Sequence, residues 1–173
     1  LAGDMGTGFS VDVCRAWEES FWKAKTPATR KAVLRVGLVL GREDGVFPRL
    51  TKLVATVLGG HQGTGRQKVS WIHEQDFARV VDWILTQEKT GTYNCIAPGV
   101  ITNRELMQTI RKAAGVPFGL VTPQWLLEIG ARLIGTETEL VLNSRWVDPK
   151  RLLEEGFQFQ FAKAENAVGE ILS

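Results

Sequence analysis

The sequence is short of the residues from which the common sites are assembled. Its 173 residues hold two cysteines, two histidines and one tyrosine. Cys14 and Cys95 cannot found a disulfide scaffold. With His61 and His73 they show no CxxC or HxxxH spacing, so no metal site is expected. Surplus charge is also scarce: 21 Lys and Arg face 19 Asp and Glu, a formal +2. That balance gives no electrostatic case for nucleic acid or an anionic membrane. No apolar run approaches the roughly 18 residues of a membrane span. No basic-then-apolar leader opens the chain, so the cytoplasm is the expected compartment. The first residue is Leu1, not Met, and the start is expected to be a processing or truncation boundary.

What is present is globular material. Hydrophobic residues make up 44% and charged residues 23%, which argues against disorder. One domain, or one domain with an appendage, is expected. Residues 1–8 read as a loop, with Thr7 as cap for a helix over about 9–25. There Val13, Trp17 and Phe21 recur every fourth residue, a stripe expected to pack in a core. AVLRVGLVLG at 32–41 reads as a strand buried on both faces, as in a parallel sheet. A helix follows at 47–58, then GGHQGTGRQ at 59–67. A dinucleotide cradle needs a strand before its glycines and a helix directly after; here the order is reversed. A flexible connection or a pocket rim is therefore the main reading, and a phosphate cradle the lesser one.

KVSWIH at 68–73 reads as a strand and 75–87 as a helix, with 91–97 as the next strand. Thr102-x-x-Glu105 is a capping box opening a helix that ends at Gly115. Pro123 opens a further helix, Thr136-x-x-Glu139 repeats the box, and Asp148-Pro149 starts a short helix. FQFQF at 157–161 alternates and reads as a half-buried strand, followed by a closing helix over 162–172. Alternating helices and strands argue an α/β fold with a partly parallel sheet. Few strands are visible, and the best of them, 32–41, wants neighbours on both sides.

Three segments together resemble one family: FSVDVCRAWE at 9–18, LRVGLVLG at 34–41 and GTGRQKVSWIHEQD at 63–76. GTYNCIAP with TNRE, and KRLLEEGFQF at 150–159, stand behind them in the same order. The set resembles the carboxy-terminal part of the atypical extended short-chain dehydrogenase/reductases. These belong to the NAD-dependent epimerase/dehydratase family, in its nucleoside-diphosphate-sugar epimerase subgroup. The resemblance implies late strands of a Rossmann-like sheet plus a small α/β substrate lobe. Residues 1–41 and 73–97 would belong to the sheet domain, and 42–72 and 98–173 to the lobe. It also implies NADP or NAD as cofactor and a small-molecule substrate. The amino-terminal, dinucleotide-cradling half is expected to be missing, since no GxxGxxG follows a strand.

The same resemblance implies sites. Gly37, Leu38 and Val39 would lie beside the nicotinamide; sheet core is the competing reading. Ser70, Trp71 and His73 would line the substrate pocket, with His73 as the candidate acid. The competing reading has His73 and Asp76 capping the next helix and Trp71 filling an interface. Family members with ordinary chemistry carry Tyr-x-x-x-Lys, for which this chain has Ser10 and Cys14. A non-catalytic NADP(H)-binding sensor or scaffold is the resulting alternative, and a fragment pairing strands with another chain is a third. A homodimer through helix 9–25 is implied as well. His61 is expected at the surface, Arg35 and Arg66 in ion pairs or on a cofactor phosphate, and the other tryptophans in packing.

Overall fold

The computed structural model describes residues 8–56, 58–121 and 146–173. The expected cap Thr7, the helix after Pro123 with its Trp125, and the Thr136–Glu139 box lie outside the described residues. Helix α1 spans Phe9–Lys23 and starts at Gly8, which gives no side-chain cap. Strands β1 (Ala32–Val36) and β2 (Leu38–Leu40) follow, then α2 (Phe47–Ala55), β3 (Lys68–Val69) and β4 (Trp71–His73). After these come α3 (Glu74–Thr86), β5 (Gly91–Cys95), β6 (Ile101–Thr102) and α4 (Asn103–Ala113). Two short helices close the chain: α5 at Lys150–Glu154 and α6 at Ala164–Leu172.

The apolar run 32–41 is not one doubly buried strand. β1 pairs in parallel with β5, from Ala32↔Gly91 to Val36↔Cys95. β2 then pairs in parallel with β4, from Leu38↔Trp71 to Leu40↔His73. The switch falls at Gly37. Its N–H still donates to Cys95 O at 3.3 Å, and the Leu38 N–H already donates to Ser70 O at 2.8 Å. A Cβ on Gly37 would lie 2.6 Å from that same Ser70 oxygen, so only glycine lets the strands approach this closely. β1 stays half-buried to exposed, and Arg35 reaches outward to Glu18 instead of seeking a partner in a core.

Two cores lie on opposite faces of β4, as strand alternation requires. Trp71 joins Leu40, Phe47, Val54, Met107, Ile110 and Ile171, gathering α2, α4 and α6. Ile72 joins Val80, Tyr93, Cys95, Leu152 and Phe157, gathering α3, β5 and α5. α4 begins with the expected box: Thr102 Oγ1 accepts from Glu105 N at 3.2 Å, and Glu105 Oε2 accepts from Thr102 N at 2.7 Å. Those bonds from Thr102 hold the Glu105 carboxyl below its ordinary value.

Two expectations need correction. FQFQF is not a strand. Phe157 and Phe161 are buried and the glutamines exposed, so the alternation of faces is right. The backbone, however, bonds to a side chain: Gln160 N and Phe161 N donate to the two carboxylate oxygens of Asp76, at 2.9 and 2.8 Å. The α1 stripe is not core either. No residue of α1 is buried; Phe9 is 81% and Trp17 70% exposed. α1 is held at its rim, by both oxygens of Glu18 on Arg35 at 2.7 Å and by Lys31 Nζ on Phe21 O at 2.9 Å.

Candidate functional site at the carboxyl ends of the strands

β1 and β5 run parallel, so their carboxyl ends open on the same side. Ligands of open α/β sheets bind beyond such ends. Three segments interchange there. The run 36–38 leaves β5 for β4, Ser70 receives it, and Ala97 N donates to Trp71 O at 2.6 Å. Gly37, Leu38 and Val39 follow directly on the carboxyl end of β1, the candidate mouth, with Leu38 and Val39 half-buried on alternate faces of the sheet. Glu18 of α1 meets Arg35 near the end of β1. The Glu18 carboxylate raises the Arg35 guanidinium above its ordinary value, and the same pairing lowers Glu18. Arg35 is thus committed to an ion pair.

The SWIH segment divides in two. Ser70 is buried, and its Oγ accepts from Val147 N at 3.2 Å. Trp71 is fully buried and donates from Nε1 to Gly99 O at 2.7 Å. His73 is also fully buried, at the start of α3. Its Nδ1 accepts from Gln75 N at 3.1 Å, which leaves the proton on Nε2, 3.1 Å from Glu170 Oε2. Its ring stacks on Phe161 at 3.9 Å. Ser70, Trp71 and His73 are thus all buried, and each side chain is bonded within the fold.

The glycine-dense loop is built, not slack. Gln62 and Asn103 exchange hydrogen bonds at 2.8 and 3.0 Å, and Gln67 Nε2 donates to Gln62 O at 2.8 Å. All three side chains are buried. Loop carbonyls face the start of α4: Asn103 N donates to Gln67 O and Arg104 N to Gly65 O. Two of the N–H groups at the start of α4 are thereby taken by loop carbonyls. Nor is His61 a free surface residue: it is half-buried, with Nδ1 3.1 Å from Gly63 O and Nε2 3.3 Å from Arg104.

A cluster that sequence reasoning missed fastens α5 to β5. Tyr93 OH donates to Glu155 at 3.0 Å, Arg151 Nε reaches the same carboxylate at 2.6 Å, and Lys89 Nζ at 3.0 Å. Burial pushes Glu155 up, but the bonds from Lys89, Arg151 and Tyr93 outweigh it and hold the carboxyl at about 2. Burial, then the bond to Glu155, raises the Tyr93 phenol, and the sole tyrosine is a structural donor to that carboxylate. The Arg151/Glu155 spacing of four was the one visible signal. An open groove of about 720 Å³ between Trp22, Arg30 and Gly91 lies at the amino ends of the strands, away from the mouth.

Comparison with known proteins adds the following. Residues 122–171 match the model of a domain of unknown function, DUF1731. Epimerase family protein ML0860 of Mycobacterium leprae is 32% identical over 97% of this chain and 53% of its own length. The chloroplastic homolog of epimerase family protein SDR39U1 from Arabidopsis thaliana is 30% identical, over 96% of this chain and 47% of its own. Human epimerase family protein SDR39U1 (isoform 2), solved with NADPH, superposes at a TM-score of 0.83 with 29% identity, covering 94% of this chain and 54% of that one. UDP-glucose 4-epimerase from Thermus thermophilus, solved with NAD, shares the fold at a TM-score of 0.62 and 15% identity, over 94% and 50%. The chain spans about half the length of the curated relatives it matches.

Proposed function

The chain belongs with the carboxy-terminal part of the epimerase family proteins, of the extended short-chain dehydrogenase/reductase type, and from that premise we propose that it forms the nicotinamide-facing end and substrate lobe of an NAD(P)-dependent enzyme. The reaction class is epimerisation, dehydration or simple carbonyl reduction of a small molecule. The strand switch at Gly37 carries the reading. In this reading it leaves backbone and apolar side chains of 37–39 as a surface for a flat nicotinamide ring; the strand register supports it. Residues 1–41 and 73–97 belong to the dinucleotide domain in this reading, and 42–72 with 98–173 to the lobe. NADP is preferred over NAD because the 29%-identical human relative was solved with NADPH.

Ser70 lines the substrate side of the mouth, with Trp71 and His73 positioning it from below. The pyrophosphate cradle must come from outside these 173 residues, since no GxxGxxG follows a strand among them. The outer edge of β1, where Val36 is 43% exposed, accepts a strand of that half. Phe9 and Trp17 on α1 accept a second copy of the chain. Titrating NADPH fluorescence with protein in which these residues follow a dinucleotide-cradling half tests the cofactor. A saturable change is expected, and none at millimolar cofactor would sink the reading.

One observation favours a second reading. Ser10 and Cys14 stand where a phenol and an ammonium would act, and Tyr93 is bonded away at Glu155. General acid/base catalysis by a depressed phenol is then unavailable to these residues. A non-catalytic NADP(H) sensor would bind cofactor and turn over no carbonyl or sugar nucleotide.

A further inference from the structure

The groove at the amino ends of β1 and β5 takes no part in the proposed mouth, and its wall is cationic. One bank is the turn from α1 into β1, which sets Trp22, Lys25, Pro27 and Arg30 on the wall; the other is Thr90 and Gly91. The turn is tied down. Lys31 Nζ donates to Phe21 O and Ala24 O and lies over the Phe21 ring, and Thr29 N donates to Thr26 O at 3.0 Å. Trp22, held edge-on against Phe21 at 5.3 Å, is still 41% exposed. Arg151 fixes the far bank by donating to Thr90 O and Thr92 O.

The two banks differ in how their charges are committed. Residues 20–41 hold Lys23, Lys25, Arg30, Lys31 and Arg35 and no Asp or Glu. Just before them, Glu18 is paired with Arg35 and Glu19 with Lys23. On the far bank Glu155 is paired with Lys89 and Arg151, and exposed Glu88 stands two residues before Thr90, off the groove wall. Lys25 and Arg30 are exposed, and among the described residues neither has a hydrogen-bond or ion-pair partner. Small-molecule pockets enclose most of their ligand, whereas this groove of about 720 Å³ is open and suits a chain that enters and leaves.

We infer that the groove docks an extended acidic peptide segment of a partner protein, with carboxylates at Lys25 and Arg30 and an apolar side chain on Trp22. The indole supplies the anchor, and the two cations supply orientation and on-rate. The site is separate from the mouth and does not rest on the cofactor reading. Exposed charges are screened, so the affinity should fall as salt is raised.

The test uses protein in which these residues follow a dinucleotide-cradling half, without cofactor. The probe is a fluorescein-labelled hexapeptide, Asp-Glu-Phe-Glu-Asp-Glu, read by anisotropy. Saturable binding is expected, weakened about tenfold between about 0.05 M and about 0.5 M salt. Lys25→Ser with Arg30→Ser should weaken it about tenfold. Lys52→Ser with Lys112→Ser removes the same charge from exposed positions on α2 and α4, and should change it by less than about twofold. Both double variants should keep the parent's melting curve, as surface substitutions do. Glycine in place of the peptide's phenylalanine should weaken binding at least about threefold, for want of the Trp22 contact. No saturable binding, equal losses in the two double variants, or equal affinity for a peptide with lysine at each acidic position overturns the proposal. Displacement of the peptide by an equal concentration of a short thymidine strand would assign the groove to nucleic acid and overturn it likewise.

Discussion

Helices α1 and α4 are both amphipathic, and they meet opposite fates. α4 starts at a capping box and buries Asn103, Leu106, Met107 and Ile110 against α2, β4 and α6. α1 starts at a bare glycine and buries nothing, although its Phe9, Val13, Trp17 and Phe21 stripe is the more aromatic. An apolar stripe records that a surface must be covered, not what covers it. For α4 the cover lies in the described residues; for α1 it does not.

The contrast can be broken first where it is largest. Ile110→Ala should cost about 3 kcal/mol in urea unfolding, as a large-to-small change in a closed core. Trp17→Ala should change the stability of the isolated chain by less than about 0.5 kcal/mol, like other surface substitutions. Comparable losses would mean that α1 is covered after all. Next, Asp76→Ala should cost about 3 kcal/mol by the same measurement. It strands the N–H groups of Gln160 and Phe161, and each unsatisfied donor costs roughly 1–3 kcal/mol. A loss under about 1 kcal/mol would show that water replaces the carboxylate.

Two glycines sharpen the point on a smaller scale. Gly37→Ala drives a Cβ into the Ser70 carbonyl, and about 1–3 kcal/mol of stability should be lost, along with NADPH binding if the mouth is as proposed. Gly169 lies within α6, and a methyl group added there would meet nothing within 4 Å. Gly169→Ala should stabilise by about 0.5–1 kcal/mol, on helix propensity alone. Thermal melting of the pair in parallel reads both signs.

These particulars show how far the sequence could be read. The α/β order and the Thr102 box follow from local rules, and the structure repeats them. The faces of FQFQF were legible from alternation, but its hydrogen bonds were not. Asp76 lies 84 and 85 residues away, and a backbone bonded to a distant carboxylate leaves no periodic trace. The break inside 32–41 was hidden for a related reason: one glycine in an apolar run does not announce a change of partner. Glycine density suggested slack at 59–67, whereas the glutamines and Asn103 between and beyond those glycines make the loop rigid. For the proposed mouth, the sequence offered 37–39 and Ser70 as candidates, and the strand switch at Gly37 was not legible. Nor was the seating of Trp146 on Lys68, because the two lie 78 positions apart in the chain.

The last effect concerns the Glu155 cluster, and its direction follows from proton counting. The carboxyl ionises at about 2 in the folded chain against an ordinary 4.5. Between those values the unfolded chain binds more protons than the folded one, so stability rises with pH across that window. The contribution is complete above about 4.5 and fades as pH falls toward 2. Glu155→Gln removes the titration while keeping the side chain's shape. The variant should be less stable than the parent at neutral pH, and the gap should narrow steadily as the pH is lowered toward about 2. Urea midpoints measured at intervals across the acid range would show the convergence. Parallel curves with no narrowing would mean that Lys89, Arg151 and Tyr93 do not act on the charge of Glu155, and that α5 is held to β5 by Leu152 packing and by the Arg151 bonds to Thr90 O and Thr92 O.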